Sequence, residues 1–311
     1  MANVTRQEIE AAIEEEHSQV LLNAATEAST ALSAFTTVPM GHKVQNMPAL
    51  ATRPEAGWVG ETGAERKKPS SKFSFENKVL TAAEVAVIIR LNEEDLEDAT
   101  PDLLAHAAAL GGEAIGRTLD KAVLFGINKP ASWTAPDLLA SATAAGNVQQ
   151  IAATPGPDDL VGSIFQAAEA VDDSGANPDR FLARNGLKFK LANLRASDGQ
   201  AIYLPSLSTA PDAADQVAGL QAAWNRNGAW DRNRATAMVA DSQAVLIGVR
   251  SDITVKFLDQ AVVEGVSLAE NDQVALRFRA RYAYTLADVF TAEGVRKSPA
   301  AAVIPAAASG A

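Results

Sequence analysis

The chain has 311 residues, with 27 Lys+Arg against 38 Asp+Glu, a formal net charge of −11, and 63 Ala. It has no Cys, and its three His (His17, His42, His106) lie far apart without metal-ligand spacing. This excludes a disulfide scaffold, a thiol nucleophile, an Fe–S cluster and a Cys- or His-rich metal site, so no cofactor is expected. The acidic balance argues against sequence-specific DNA binding, which needs cations to displace phosphate counterions. Apolar runs such as 85–89 fall far short of the ~20 residues that span a bilayer. The N-terminus soon turns acidic and lacks the apolar core of a secretory signal. A hydrophobic content of 47% is enough for a large core, and the expectation is a soluble, intracellular, folded protein.

Residues 5–36 read as a helix. Thr5 is the N-cap, Glu8 sits at the capping-box spacing, and Ile9, Ile13, Val20 and Leu21 form a partial apolar stripe. Glu14-Glu15-Glu16 is a solvated face. Three Pro and two Gly break any period over 37–57, which reads as an extended connector, an arm long enough to reach a neighbouring subunit. Residues 58–91 read as two extended limbs around a polar tip. The first limb is Trp58-Val59-Gly60-Glu61. The tip carries Arg66-Lys67-Lys68, with Lys72 just beyond. The second limb holds Phe73 and Phe75 and leads into the β-rich stretch 85–89. One monomer cannot easily bury such a hairpin, whose edges and aromatics call for a partner.

A strong helix start follows at Thr100-Pro101-Asp102, and the apolar spacing of Leu104, Ala108, Ile115, Leu119 and Ala122 carries a helix over 101–125 to a stop at Gly126. Its length is ~37 Å at 1.5 Å per residue. Residues 127–157 read as irregular. A helix over 158–171, a turn at 174–178, a strand at 180–183 and a helix over 187–194 come next. Short strands are expected at 235–239, 244–249 and 253–257. Over 273–284 the pattern alternates, with Leu276, Phe278, Ala280, Tyr282 and Tyr284 on one face and Arg277, Arg279 and Arg281 on the other. The Ala-rich tail from 299 has no period and reads as frayed.

No catalytic constellation stands out. Gly57-x-x-Gly60-x-x-Gly63 lacks the context of a phosphate loop and reads as turn chemistry. Gly112-x-x-x-Gly116 reads as a close-packing site on the long helix. The acidic cluster Glu93, Glu94, Asp95, Glu97 and Asp98 lacks calcium-loop spacing and reads as a solvated face. Two cationic features suggest contacts: the hairpin tip, and the Arg277/Arg279/Arg281 face, which needs carboxylates or solvent to offset its own repulsion. A nucleic-acid reading of that face is opposed by the overall charge.

The order of these motifs resembles the major capsid proteins of tailed double-stranded DNA bacteriophages with the Hong Kong 97 fold. The resemblance rests on Trp58-Val59-Gly60-Glu61, the basic tip, Phe73-x-Phe75, Asn92-Glu93-Glu94-Asp95-Leu96-Glu97-Asp98, the helix end Thr118-Leu119-Asp120-Lys121-Ala122, Ser251-Asp252-Ile253-Thr254-Val255, and Asn271-Asp272-Gln273 leading into the arginine strand. It covers about 37–290. It implies an α+β fold, and the map is an N-terminal helix to 36, an N-arm over 37–56, an E-loop over 57–80, a P domain over 81–127 with a return strand over 272–295, an A domain over 128–271, and a flexible tail over 296–311. The implied product is a structural subunit, not an enzyme, that assembles in the host cytoplasm into pentamers and hexamers of the virion shell. Intersubunit contacts are expected from Trp58, Glu61, Arg66, Lys67, Lys68, Lys72, Phe73 and Phe75 of the E-loop and from the three arginines, against acids such as Glu93, Glu94, Asp95, Glu97 and Asp98. Some family members weld an E-loop lysine to a neighbour's asparagine. Lys67, Lys68 or Lys72 with Asn271 is the conceivable pair here, although noncovalent assembly is the base case. Only about thirty residues precede the arm, so scaffolding is expected from a separate protein or not at all. A portal, decoration proteins and non-specifically packaged DNA complete the expected partners, with no membrane. The alternatives are an encapsulin-like nanocompartment shell and an unrecognised soluble enzyme.

Overall fold

A computed structural model describes residues 29–52, 74–93, 102–152, 159–194, 216–258, 260–291 and 294–306. The first described element is a five-residue helix, α1 (Thr30–Ala34), capped by Ser29, whose Oγ accepts from the Leu32 N–H at 3.2 Å. Strand β1 (Thr36–Met40) follows at once. The helix expected to 36 thus stops at Ala34, because β-branched Thr36, Thr37 and Val38 with Pro39 favour extended backbone. The connector expected over 37–57 is also largely strand. β2 (Val44–Thr52) pairs antiparallel with β3 (Ser74–Thr81) from Val44↔Thr81 to Thr52↔Ser74. The hairpin limbs are therefore 44–52 and 74–81. Residues 53–73, including Trp58 and Glu61, lie outside the described residues.

Strand β4 (Ala83–Asn92), β10 (Val245–Leu258) and β13 (Gln273–Leu286) join β1 in a four-stranded sheet ordered β1-β10-β13-β4. β1 runs parallel to β10, and the other pairs are antiparallel. Pro39 is tolerated because β1 is an edge strand. The long helix α2 (Asp102–Phe125) packs across one face of this sheet. Ile115, Leu119, Val123 and Leu124 bury against Phe278, Ala280, Tyr282 and Tyr284. The expected alternation of β13 is thus present, with the aromatics inward. Gly112 and Gly116 are buried, but the tight approach falls at Gly111, where an added Cβ would lie 2.8 Å from the Phe278 ring. Gly126 ends the helix in the left-handed region (φ 66°), where a Cβ is disfavoured.

A second sheet has six strands in the order β5-β16-β9-β6-β8-β7. These are β5 (Val148–Gln150), β6 (Arg180–Arg184), β7 (Gln216–Val217), β8 (Leu220–Asn225), β9 (Ala237–Ala240) and β16 (Ala300–Ile304). Helix α3 (Leu138–Ala145) and the end of α2 cover one face, where Leu182, Met238, Ala300 and Ala302 point. Helices α4 (Asp159–Asp173) and α5 (Asn185–Ala192) cover the other, over Phe181, Val239, Ala301 and Val303. α3 and β5 lie in the stretch expected to be irregular.

Two further expectations are corrected. The tail expected to be flexible contributes β16, which sits between β5 and β9 and buries Ala300, Ala301, Ala302 and Val303. A strand covered on both faces has no polar alternation, so its Ala run carried no period. The stretch 128–271 also does not stay with one sheet, since β10 leaves the six-stranded sheet's neighbourhood for the four-stranded one. The remaining pairs are small: β11 (Val262–Val263) with β12 (Val266–Ser267), and β14 (Val289–Phe290) with β15 (Arg296–Lys297).

Candidate assembly surfaces

Nine residues of β2 make a two-stranded ribbon about 30 Å long, at 3.4 Å per residue. Its root is packed on one side and exposed on the other. Leu80 and Ala82 bury with Met40 and Ala283 at one end of the four-stranded sheet. Val44 and Val79 are half-exposed. An ionic cluster ties the ribbon to the body. Lys78 Nζ lies 3.0 Å from Asp288 Oδ1, and Arg296 Nη1 lies 3.2 Å from Glu76 Oε2 while the same guanidinium also reaches Asp288. The Asp288 side chain is 8% exposed, so this carboxylate holds two cations with little solvent screening. The Trp133 indole N–H donates to the Thr81 carbonyl at 3.1 Å, pinning the ribbon's last residue to the loop after α2.

A buried polar cluster anchors the chain's entry. Asp120, on the apolar side of α2, is fully buried. It accepts from Ser29 Oγ (2.7 Å), the N–H groups of Thr30 (3.0 Å) and Ala31 (2.9 Å), Asn225 Nδ2 (3.1 Å) and Asn227 Nδ2 (2.8 Å). The carboxylate thus caps α1 from another element, bonding donors that a helix start leaves open. Burial pushes its pKa up, opposed by the hydrogen bonds from Ser29, Ala31, Asn227 and Thr30. Sequence reasoning passed over Asp120. The available signal was one acid inside the stripe of Ile115, Leu119, Ala122 and Val123. Burial also raises the Tyr282 hydroxyl to about 12 and holds Tyr284 well above its usual range.

The face of the four-stranded sheet away from α2 carries the arginines. The register places Arg281 beside Arg250 and Glu84, Arg279 beside Thr254 and Ala86, and Arg277 beside Lys256 and Ile88. Arg281 donates to Glu84 Oε2 at 3.3 Å, and Arg279 stands 3.9 Å from the same oxygen. The carboxylate that offsets two of them is therefore in the same chain. Arg90, further along β4, pairs with Glu264 at 3.0 Å.

The other expected site residues divide clearly. Arg66, Lys67, Lys68, Lys72, Phe73, Glu94, Asp95, Glu97 and Asp98 lie outside the described residues, with Trp58 and Glu61. Phe75 stands opposite Leu50 in the ribbon. Glu93 is exposed at the end of β4, and its N–H donates to the Asp272 carbonyl at 2.9 Å. Asn271 is exposed, and its Nδ2 donates to the Ser267 carbonyl at 2.8 Å within its own turn. Among the described residues no cluster of His, Asp or Glu could hold a metal ion, and no helix is long and apolar enough to cross a membrane.

The two-stranded ribbon and the charged sheet face are surfaces through which this mixed α+β body can meet other macromolecules. The phage capsid family model matches residues 11–291, and the chain belongs to that family. It is accordingly a shell-forming structural subunit of the virion capsid and not an enzyme. It is similar to a solved chain of Mycobacterium phage Adephagia at 45% identity, covering 99% of this chain and 100% of that one, with a TM-score of 0.79. A chain of Microbacterium phage Oxtober96 is 36% identical over 89% of this chain and 91% of that one, with a TM-score of 0.75. A chain described as the capsid of a native GTA particle shares the fold at 15% identity, covering 90% and 91%, with a TM-score of 0.64. No curated protein matches.

Proposed function

We propose that the chain is the repeating subunit of the icosahedral head of a tailed double-stranded DNA phage, with the Hong Kong 97 architecture. In this reading the β2–β3 ribbon and residues 53–73 form the E-loop, laid across a neighbouring copy. The four-stranded sheet with α2 serves as the P domain. The six-stranded sheet serves as the A domain, meeting its copies around the five-fold and six-fold axes. A portal and a separate scaffolding protein are its partners in assembly.

The observation that carries the reading is the ribbon. A lone two-stranded hairpin is at best marginally stable in water. Among the described residues β2 and β3 pair over eight positions with no third strand, and Val44 and Val79 are half-exposed, so the ribbon calls for a second surface. A neighbouring copy supplies one, and closed symmetry repeats the contact around the shell. Contacts in this reading are noncovalent, so shells boiled in detergent should run as a single band at 32.5 kDa.

The test is electron microscopy of the full chain expressed with its phage's assembly proteins. Closed shells are expected, and a monomer under every condition overturns the reading. A second chain replaces residues 50–75 with an Asn-Gly turn, joining the paired Ala49 and Glu76. It should fold with its thermal transition retained but form no shells. Shells at normal yield would remove the ribbon from the assembly contact.

A further inference from the structure

A groove of about 430 Å³ opens between the start of α5 and the end of β8. The described residues lining it include Arg184, Phe189, Asn225, Arg226 and Trp230, and no Asp or Glu. Several of its groups lack a counterpart. The guanidinium groups of Arg184 and Arg226 enter no ion pair or hydrogen bond among the described residues. Arg184 caps α5 without a side-chain bond, which leaves first-turn N–H groups open near its guanidinium. Asn225 is 2% exposed, and its Oδ1 has no hydrogen-bond partner. Its Nδ2 is spent on Thr30 Oγ1, Asp120 and Asn227, so the planar amide turns Oδ1 away from that cluster. Phe189 is 66% exposed at the same groove.

We propose that this groove seats residues 16–28 of the same chain, which lie outside the described residues. The groups without counterparts define the occupant. Unpaired guanidiniums and open helix N–H groups call for carboxylates. A buried acceptor calls for an N–H donor. An exposed aromatic ring calls for an apolar side chain. A small inorganic anion supplies only the first of these, whereas an acidic peptide segment supplies all three. Residues 1–28 hold Glu8, Glu10, Glu14, Glu15, Glu16 and Glu27 against Arg6 alone. In the helix expected over this stretch, Glu16, Val20, Asn23 and Glu27 share one face. That face brings two carboxylates for the two guanidiniums, Val20 for the Phe189 ring, and the Asn23 amide for Asn225 Oδ1. Chain continuity places the stretch there. Thr30 Oγ1 accepts from Asn225 Nδ2 at 2.9 Å, so the residues just before Ser29 start within reach of the groove. Tethering gives them a high local concentration that a separate molecule lacks. The contact belongs to the unassembled chain and does not rest on the shell reading.

The chain has no Cys, so an introduced pair reports one contact. In the unassembled full chain, Glu27→Cys/Arg226→Cys should close a disulfide under mild oxidation, read as a faster-running monomer band that dithiothreitol reverses. Glu27→Cys/Arg277→Cys, with its second Cys on the four-stranded sheet, should stay open. A band at twice the chain mass would place the segment on a second copy and overturn the proposal. Hydrogen exchange over 16–28 is the second measurement. Arg184→Glu/Arg226→Glu should speed it at least about tenfold while the chain melts with the parent. Glu16→Lys/Glu27→Lys should do the same. Combining the four reversals should bring exchange back to within about threefold of the parent chain, a recovery that general loss of structure would not give. Exchange unchanged in both double variants, no recovery in the combined chain, or a Glu27→Cys/Arg226→Cys pair that stays open overturns the inference. If a charge variant does not fold, the Cys pair still decides. Absence of shells would overturn the shell reading and leave these readouts intact, since all are taken on the unassembled chain.

Discussion

Replacing Asp120 with Ala tests the anchor that holds the chain's entry against α2. Five donors point at this carboxylate. After truncation Ser29 Oγ keeps its bond to the Leu32 N–H, and Asn225 Nδ2 keeps Thr30 Oγ1 and Asn227 Oδ1. The N–H groups of Thr30 and Ala31 and the hydroxyl hydrogen of Ser29 lose the acceptor they have in the parent chain. Each stranded donor costs about 1–3 kcal/mol. Removing a buried charge returns several kcal/mol of desolvation. The net expectation is a loss of about 2–4 kcal/mol. Urea unfolding of the unassembled chain measures it, and hydrogen exchange at 29–34 should accelerate first. A loss under about 0.5 kcal/mol with unchanged exchange at 29–34 would refute the reasoning. The pH dependence has a definite sign. Burial raises the folded pKa above the unfolded value of 3.8. A group raised in the folded state contributes its full stability below the unfolded pKa, and the contribution is lost as pH rises through the folded one. The stability difference between the parent chain and Asp120→Asn should therefore shrink as pH rises from below 3.8. A difference that grows over that range would show that the hydrogen bonds outweigh burial.

Three other perturbations probe the frame. Gly111→Ala should lower stability by about 1–3 kcal/mol despite the better helix former, because its Cβ meets the Phe278 ring at 2.8 Å; a raised melting temperature would show that the ring yields. Asp288→Ala leaves Lys78 and Arg296 without their shared carboxylate and should cost about 1–3 kcal/mol, with faster proteolysis of the ribbon; unchanged cleavage would mean the ionic cluster does not hold the root. Truncation after Pro299 removes a strand between β5 and β9 and should abolish the cooperative transition; a truncated chain that melts like the parent would restore the reading of this segment as a frayed tail.

The long helix was legible in detail. Its start signal, apolar spacing and Gly126 stop are local properties, and the helix runs Asp102–Phe125 with Gly126 at φ 66°. The strand of alternating aromatics and arginines was equally plain, because one of its faces is buried and the other is not. The hairpin's second limb was expected where β3 lies, but its partner strand is 44–52, in the stretch read as a connector. Pro39 and Pro48 read as breakers, although an edge strand and a two-stranded ribbon tolerate proline. The Ala run at 300–303 carried no signal, since a strand buried on both faces shows no period and Ala is a weak strand former.

By itself the sequence determined the class of elements, the absence of thiol and clustered-His chemistry, and the ordered motifs that mark a capsid subunit. Those follow from residue type and spacing along the chain. Tertiary structure alone decided what meets across long separations. It joined the last strand to the middle of a sheet, drew Asp120 to Ser29 across 91 positions, and placed Glu84 under the arginines of β13. It also set Arg250 and Lys256 of β10 opposite Arg281 and Arg277 of β13. Pairing between distant strands depends on the whole packed core, and no local pattern encodes it.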